Sequence, residues 1–123
     1  MPAAPAHADV MSRLPVPPRD YLILFALVDG PLHGHGLLKS IEAQSGGVLF
    51  DPANLYRSLR KLDRDRLVVE VDDPGADASA SRRRCYELTL LGRAVLTAEA
   101  TRLARLAEAA RARRLVRPEG AEG

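Results

Sequence analysis

Arg57, Arg60, Lys61 and Arg64 recur at i, i+3, i+4 and i+7, the spacing that gathers side chains on one face of an α-helix. A guanidinium offers a planar fork of N–H donors that fits phosphate oxygens, and an ammonium supplies a point charge, so such a face can hold a nucleic-acid backbone. On another side of the same stretch, Leu55, Leu59 and Leu62 follow the spacing of a buried stripe that continues towards Leu67. Asp51 is placed to cap the helix, and Pro52 sits in the first turn, where a missing N–H is tolerated. The first turns carry Asn54, Tyr56 and Arg57, where a recognition helix presents side chains to base edges. A basic amphipathic helix also serves simply as a solvated surface helix, so its neighbours in the chain decide between the readings.

After the helix, Leu67-Val68-Val69-Glu70-Val71 has strand character, and the DDPGADASAS stretch has the composition of a loop. Arg82, Arg83 and Arg84 then lead into a second strand, in which Cys85, Glu87 and Thr89 alternate with Tyr86 and Leu88. The pair reads as a β-hairpin with a cationic base and an acidic tip, and the tip acids, Asp72, Asp73 and Asp77, would repel phosphate. An ordinary surface hairpin kept soluble by its arginines is the competing reading.

Catalytic chemistry finds little support. His33 and His35 stand two apart in a Gly-Pro turn without a Cys or acidic cluster nearby, a weak metal signal. There is no phosphate-cradling P-loop, no nucleophile elbow and no oriented Cys-His pair, so no enzyme, metal or cofactor is expected. The single cysteine, Cys85, excludes an internal disulfide, suits a reducing cytoplasm, and reads as a small half-buried hydrophobe rather than a redox sensor. The start MPAAPAHADV has no basic segment followed by an apolar one, so secretion is not expected. Net charge is only +2 over 123 residues, so the distribution of charge argues for nucleic acid more than the sum does.

Two further helices must carry the basic one. Tyr21 to Val28 is a nearly unbroken apolar run, too short for a membrane and therefore a core helix. Leu37, Leu38 and Ile41 mark a short amphipathic helix stopping near Ser45-Gly46-Gly47. Helix, helix, basic helix and hairpin in that order define a mainly α chain with a small β-hairpin, a winged helix-turn-helix over residues 19–89. Before it, residues 1–18 are proline-rich and read as a flexible or extended arm, whose few permanent cations, Arg13 and Arg19 at its boundary, give little reason to expect groove contact. After it, residues 90–116 are rich in helix formers, with Leu96, Leu103 and Ala110 seven apart and Ala100, Leu106 and Ala107 on much the same side. That pattern reads as a dimerisation helix, its alanine-rich seam needing help from the first helix of a partner. A lone helix folded back on its own domain is the alternative. Arg111, Arg113, Arg114 and Arg117 suit the negative end of the helix dipole, and residues 117–123 read as a disordered tail.

From Tyr21 to Gly92 the chain resembles PadR-type transcriptional regulators. The resemblance is carried by the apolar first helix, Gly30-Pro31-Leu32-His33-Gly34, Asn54-Leu55-Tyr56-Arg57, the Leu59 to Leu67 continuation, and Arg83 to Thr89 followed by Gly92. It departs from the usual pattern at His35, at Cys85-Tyr86 and at Asn54, where an aromatic, an aromatic pair and a threonine are common. The resemblance implies a homodimeric repressor of double-stranded DNA, often responsive to a small molecule, with Tyr56 and Arg57 at recognition positions. Its operator would be an inverted repeat, contacted by Arg57, Arg60, Lys61 and Arg82 to Arg84 at phosphates and by Asn54 and Tyr56 at bases. An effector would sit between the first and last helices, where Tyr21 and Phe25 are the first-helix aromatics. The low net charge and acidic hairpin tip keep a different class open, a module that docks a partner polypeptide.

Overall fold

The leucine stripe forms as the spacing predicts. In the computed structural model, which describes residues 4–45, 51–72 and 84–117, Leu55, Leu59 and Leu62 are fully buried. They lie on α4, Pro52–Arg64, and meet Ile23, Leu24 and Leu27 from the region of α2, Pro18–Ala26, and Leu37 and Ile41 of α3, Gly34–Gln44. The Asp51 side chain accepts from the Asn54 N–H at 3.0 Å, the expected cap. At its far end α4 stops in a left-handed turn at Arg66 (φ 64°), with the Leu67 N–H donating back to the Leu62 carbonyl at 2.9 Å. Helix α2 starts at Pro18, earlier than the apolar run suggests, because proline's fixed φ suits a first helical turn.

The sheet has one strand more than the hairpin expected. Strands β2, Val68–Asp72, and β3, Arg84–Leu88, pair antiparallel, and β1, Leu32–His33, joins the other edge of β3 in the order β1-β3-β2. Leu32 faces Tyr86 and His33 faces Cys85. Two residues are too few for alternation to announce a strand. Cys85 and Tyr86 are both buried although they point to opposite faces, so both faces of β3 are covered at these two positions. The hairpin tip, Arg82, Arg83 and the Gly46-Gly47 stop lie outside the described residues, as does the tail from residue 118.

Two expectations need correction. The arm is not extended: His7–Ser12 form a helix, α1, which packs on the last helix, α5, Leu90–Ala112, and buries Val10, while Val16 is buried in the connector that follows. Arg13 Nη1 donates to the Asp65 carbonyl at 2.9 Å, and the Val16 N–H donates to Glu99 at 3.0 Å. Prolines flank this helix without entering it, and six residues are too short for composition to reveal. The second correction concerns the seam. Leu96, only 5% exposed, is spent on the chain's own core, whereas Leu103 and Leu106 are 38% and 54% exposed. The first half of α5 packs on its own domain and the second half stands clear of it.

Candidate nucleic-acid interface

The basic face of α4 is exposed as its spacing requires. Arg57, Arg60, Lys61 and Arg64 all lie on its solvent side, opposite the buried leucines. Asn54 begins a chain of local bonds: its Nδ2 donates to Asp51 Oδ2 at 2.7 Å, and its Oδ1 accepts from Arg57 Nη1 at 3.3 Å. The amide is thus oriented by the cap before any base is met. Arg60 and Arg64 form no ion pair among the described residues. Lys61 does: its Nζ lies 3.4 Å from Asp20 Oδ2, at the start of α2, a largely buried carboxylate that sequence reading passed over.

Tyr56 sits in the second turn of α4 with 47% of its surface exposed. Its hydroxyl lies against Gly34, the first residue of α3, where an added Cβ would overlap it. His33 caps that helix, its Nδ1 accepting from the Gly36 N–H at 3.2 Å, and its ring stacks on His35 with centroids 6.4 Å apart. That role occupies one nitrogen of the histidine pair, and among the described residues no group of three or more possible ligands gathers for a metal.

Glu70 organises the base of the hairpin. Tyr86 donates its hydroxyl to Glu70 Oε1 at 3.0 Å, and Arg84 Nη1 lies 3.1 Å from Oε2. Burial, then the bond to Glu70 and its charge, push the Tyr86 phenol up to about 12. Of the three arginines predicted here only Arg84 is among the described residues, and it is exposed beside Glu70. Glu70 and Tyr86 lie on paired strands at facing positions, a register that sequence alone does not fix.

One knot of backbone fixes α4, the hairpin and α5 together. Thr89 accepts from the Gly92 N–H at 2.9 Å to cap α5, donates its hydroxyl to the Arg66 carbonyl at 2.6 Å, and donates its N–H to the Leu67 carbonyl at 3.2 Å. A Cβ at Gly92 would run into that same Leu67 carbonyl, so the close approach requires glycine.

Away from this face, Tyr21 and Phe25 stack at 6.1 Å between centroids. Tyr21 lines a cleft of about 520 Å³ with Val16, Pro18, Leu22, Glu99 and Leu103, but Phe25 does not reach it. Ala100, Ala107 and Ala110 are partly exposed on α5 near Leu103 and Leu106.

Three helices bearing a basic third member, with a three-stranded sheet beside it, make this a winged helix-turn-helix protein. A profile of the Transcriptional regulator PadR-like family matches residues 23–98, and the chain belongs to that family, whose members are transcriptional regulators rather than enzymes. Among solved structures, the fold is shared with a PadR-like regulator from Bacillus cereus (TM-score 0.68, 14% identity, covering 80% of this chain and 93% of that one). It is shared too with the Bacillus subtilis PadR solved in complex with operator DNA (TM-score 0.56, 21% identity, covering 64% of this chain and 44% of that one). A sequence relative, the uncharacterized 37.1 kDa protein in transposon TN4556 of Streptomyces fradiae, is 41% identical over 85 residues, covering 69% of this chain. The chain spans only 23% of that relative's length. No helix among the described residues is long and apolar enough to cross a membrane.

Proposed function

We propose that this protein is a sequence-specific DNA-binding regulator, acting in the cytoplasm on the nucleoid as a homodimeric repressor. The observation that carries the reading is the solvent face of α4, where Arg57, Arg60, Lys61 and Arg64 stand together behind Asn54 and Tyr56, with Arg84 at the wing base. The cations supply affinity and orientation, and the amide and phenol supply discrimination. The operator complex of the Bacillus subtilis relative supports the same use of this fold. A symmetric pair would set two α4 helices in successive major grooves, so the operator is an inverted repeat with half-sites about one helical turn apart. Exposed Leu103 and Leu106, with Ala100, Ala107 and Ala110, supply the self-association surface on the free half of α5. Arg82 and Arg83 extend the wing contact in this proposal.

A gel shift across a salt series, on DNA upstream of the protein's own coding region, tests the reading. A shift weakening steeply with salt and competed poorly by mixed-sequence DNA is expected; no shift at low salt would point instead to a protein-docking module.

The cleft beside Tyr21 supports a second step, relief of repression by a small-molecule effector seated between α2 and α5. Its position behind the interface, against the helix that would join two subunits, lets occupancy alter the spacing of the two α4 helices. Calorimetry against phenolic acids and planar cationic drugs tests it.

A further inference from the structure

A groove of about 690 Å³ runs between the start of α2 and the flank of α4, lined by Pro18, Arg19 and Asp20 on one side and Arg57, Lys61 and Arg64 on the other. We infer that this groove seats one phosphate backbone of the bound duplex, so that Arg19 on α2 joins Arg57, Lys61 and Arg64 of α4 as a DNA contact. The inference rests on the DNA-binding reading above and adds to it a second wall, contributed by α2. Charge complementarity selects this occupant. Four basic side chains and one carboxylate line it, and that carboxylate, Asp20, is largely buried with its Oδ2 held by Lys61. Lys61 remains about half exposed, so its other ammonium donors still point outwards.

Continuity with the base-reading face is the second argument. Arg57 both lines the groove and donates to Asn54, so a duplex read by Asn54 brings its nearer backbone along the line of Arg57, Lys61 and Arg64. These three stand at i, i+4 and i+7, spread over about 10 Å of helix, which suits a linear polyanion better than a compact anion. Although Pro18 itself offers no N–H, the remaining first-turn N–H groups of α2 add a partial positive charge at the opposite wall.

The test compares four proteins on a mixed-sequence duplex, plotting the logarithm of affinity against that of salt concentration. Neutralising each phosphate contact should flatten the slope by about 0.9, so the Arg19→Gln, Arg64→Gln double variant should lose about 1.8 units. A control that removes two charges elsewhere, Arg105→Gln on α5 with Arg113→Gln at its C-terminal cap, should leave the slope unchanged. The Arg19→Lys, Arg64→Lys pair should restore most of the loss, because counterion release depends on charge rather than on a fork. A double variant with the parent's slope, or a control that flattens equally, overturns the groove while leaving DNA binding intact. A parent with no salt-dependent affinity at all would instead sink the underlying reading, so the two failures are distinguishable.

Discussion

The Tyr56 hydroxyl rests against Gly34, two residues brought together from the third helix of the head and the first turn of the second. Nothing but hydrogen at position 34 leaves room for the phenol to lie there. The obstructing atom is the tip of a side chain and not backbone, so an added methyl displaces the phenol rather than the fold.

Gly34→Ala should therefore separate recognition from stability. The thermal midpoint should hold or rise slightly, since alanine favours a helix over glycine by up to about 1 kcal/mol. Operator binding should weaken by about tenfold while affinity for mixed-sequence DNA stays within twofold, a loss of about 1.4 kcal/mol confined to the specific complex. Competition binding with both duplexes reads the difference; equal losses on the two would remove Tyr56 from discrimination.

Gly92 presents the opposite case, because what a methyl would meet there is the Leu67 backbone carbonyl. Gly92→Ala should cost about 3 kcal/mol by chemical denaturation, as overpacking against backbone that is pinned by Thr89 cannot be relieved by a rotamer change. Gly36→Ala, whose new methyl would make only ordinary contacts from 3.6 Å, is the matched control and should change stability by less than about 1 kcal/mol.

Tyr86 should titrate late for a phenol. Its folded value is raised above 10.0 to about 12, so the folded state keeps the proton that the unfolded state releases. Stability from this phenol is complete below about pH 10 and is lost as pH rises through about 12. Phenolate absorbance of the folded protein should show one late group, and Glu70→Gln should bring it earlier by removing the neighbouring charge. A Glu70 variant with an unmoved titration would mean that burial alone sets the shift.

How much of this could be read in the sequence depends on how local the cause is. Asp51, Pro52 and the Leu55, Leu59, Leu62 stripe act within one helix, so the start of α4 and its two faces follow from spacing. The pairing of β1 with β3 does not, since Leu32 and His33 acquire strand geometry only from Tyr86 and Cys85 across the sheet. Asp20 and Glu70 look like ordinary surface acids in the chain, and they become organisers only when folding sets Lys61, Arg84 and Tyr86 beside them. The same holds for Val10 and Val16, two apolar residues in a proline-rich stretch whose partner, α5, lies far along the chain.

Glu99 ties that stretch down. It is buried, accepts from the Val16 N–H and pairs with Arg102, and the Arg102 guanidinium holds its carboxyl below the ordinary 4.5. A lowered carboxylate stabilises the fold above its unfolded value, and the contribution fades as pH falls from about 4.5 through the folded value. Glu99→Gln should cost about 1 to 3 kcal/mol at neutral pH, with a difference from the parent that is flat above about pH 5 and shrinks in stronger acid. Melting curves across pH test both; a gap that widens on acidification would reverse the assigned sign.

Leu96 and Leu106 stand on one helix and should answer differently when changed. Leu96 is packed among Val95, Leu24 and the rest of the core cluster, so Leu96→Ala should cost about 2 to 5 kcal/mol whatever the association state. Leu106 is more than half exposed within one chain, so a glutamate there meets water in a lone subunit and costs it less than about 0.5 kcal/mol. In a paired α5 the same glutamate would be buried opposite its copy, an unpaired charge costing several kcal/mol. Leu106→Glu should therefore shift sedimentation from dimer to monomer with the subunit's helical content intact, and operator affinity should fall with it because one α4 alone reaches only one half-site. A Leu106→Glu protein that sediments as the parent does would remove the free half of α5 from the association surface.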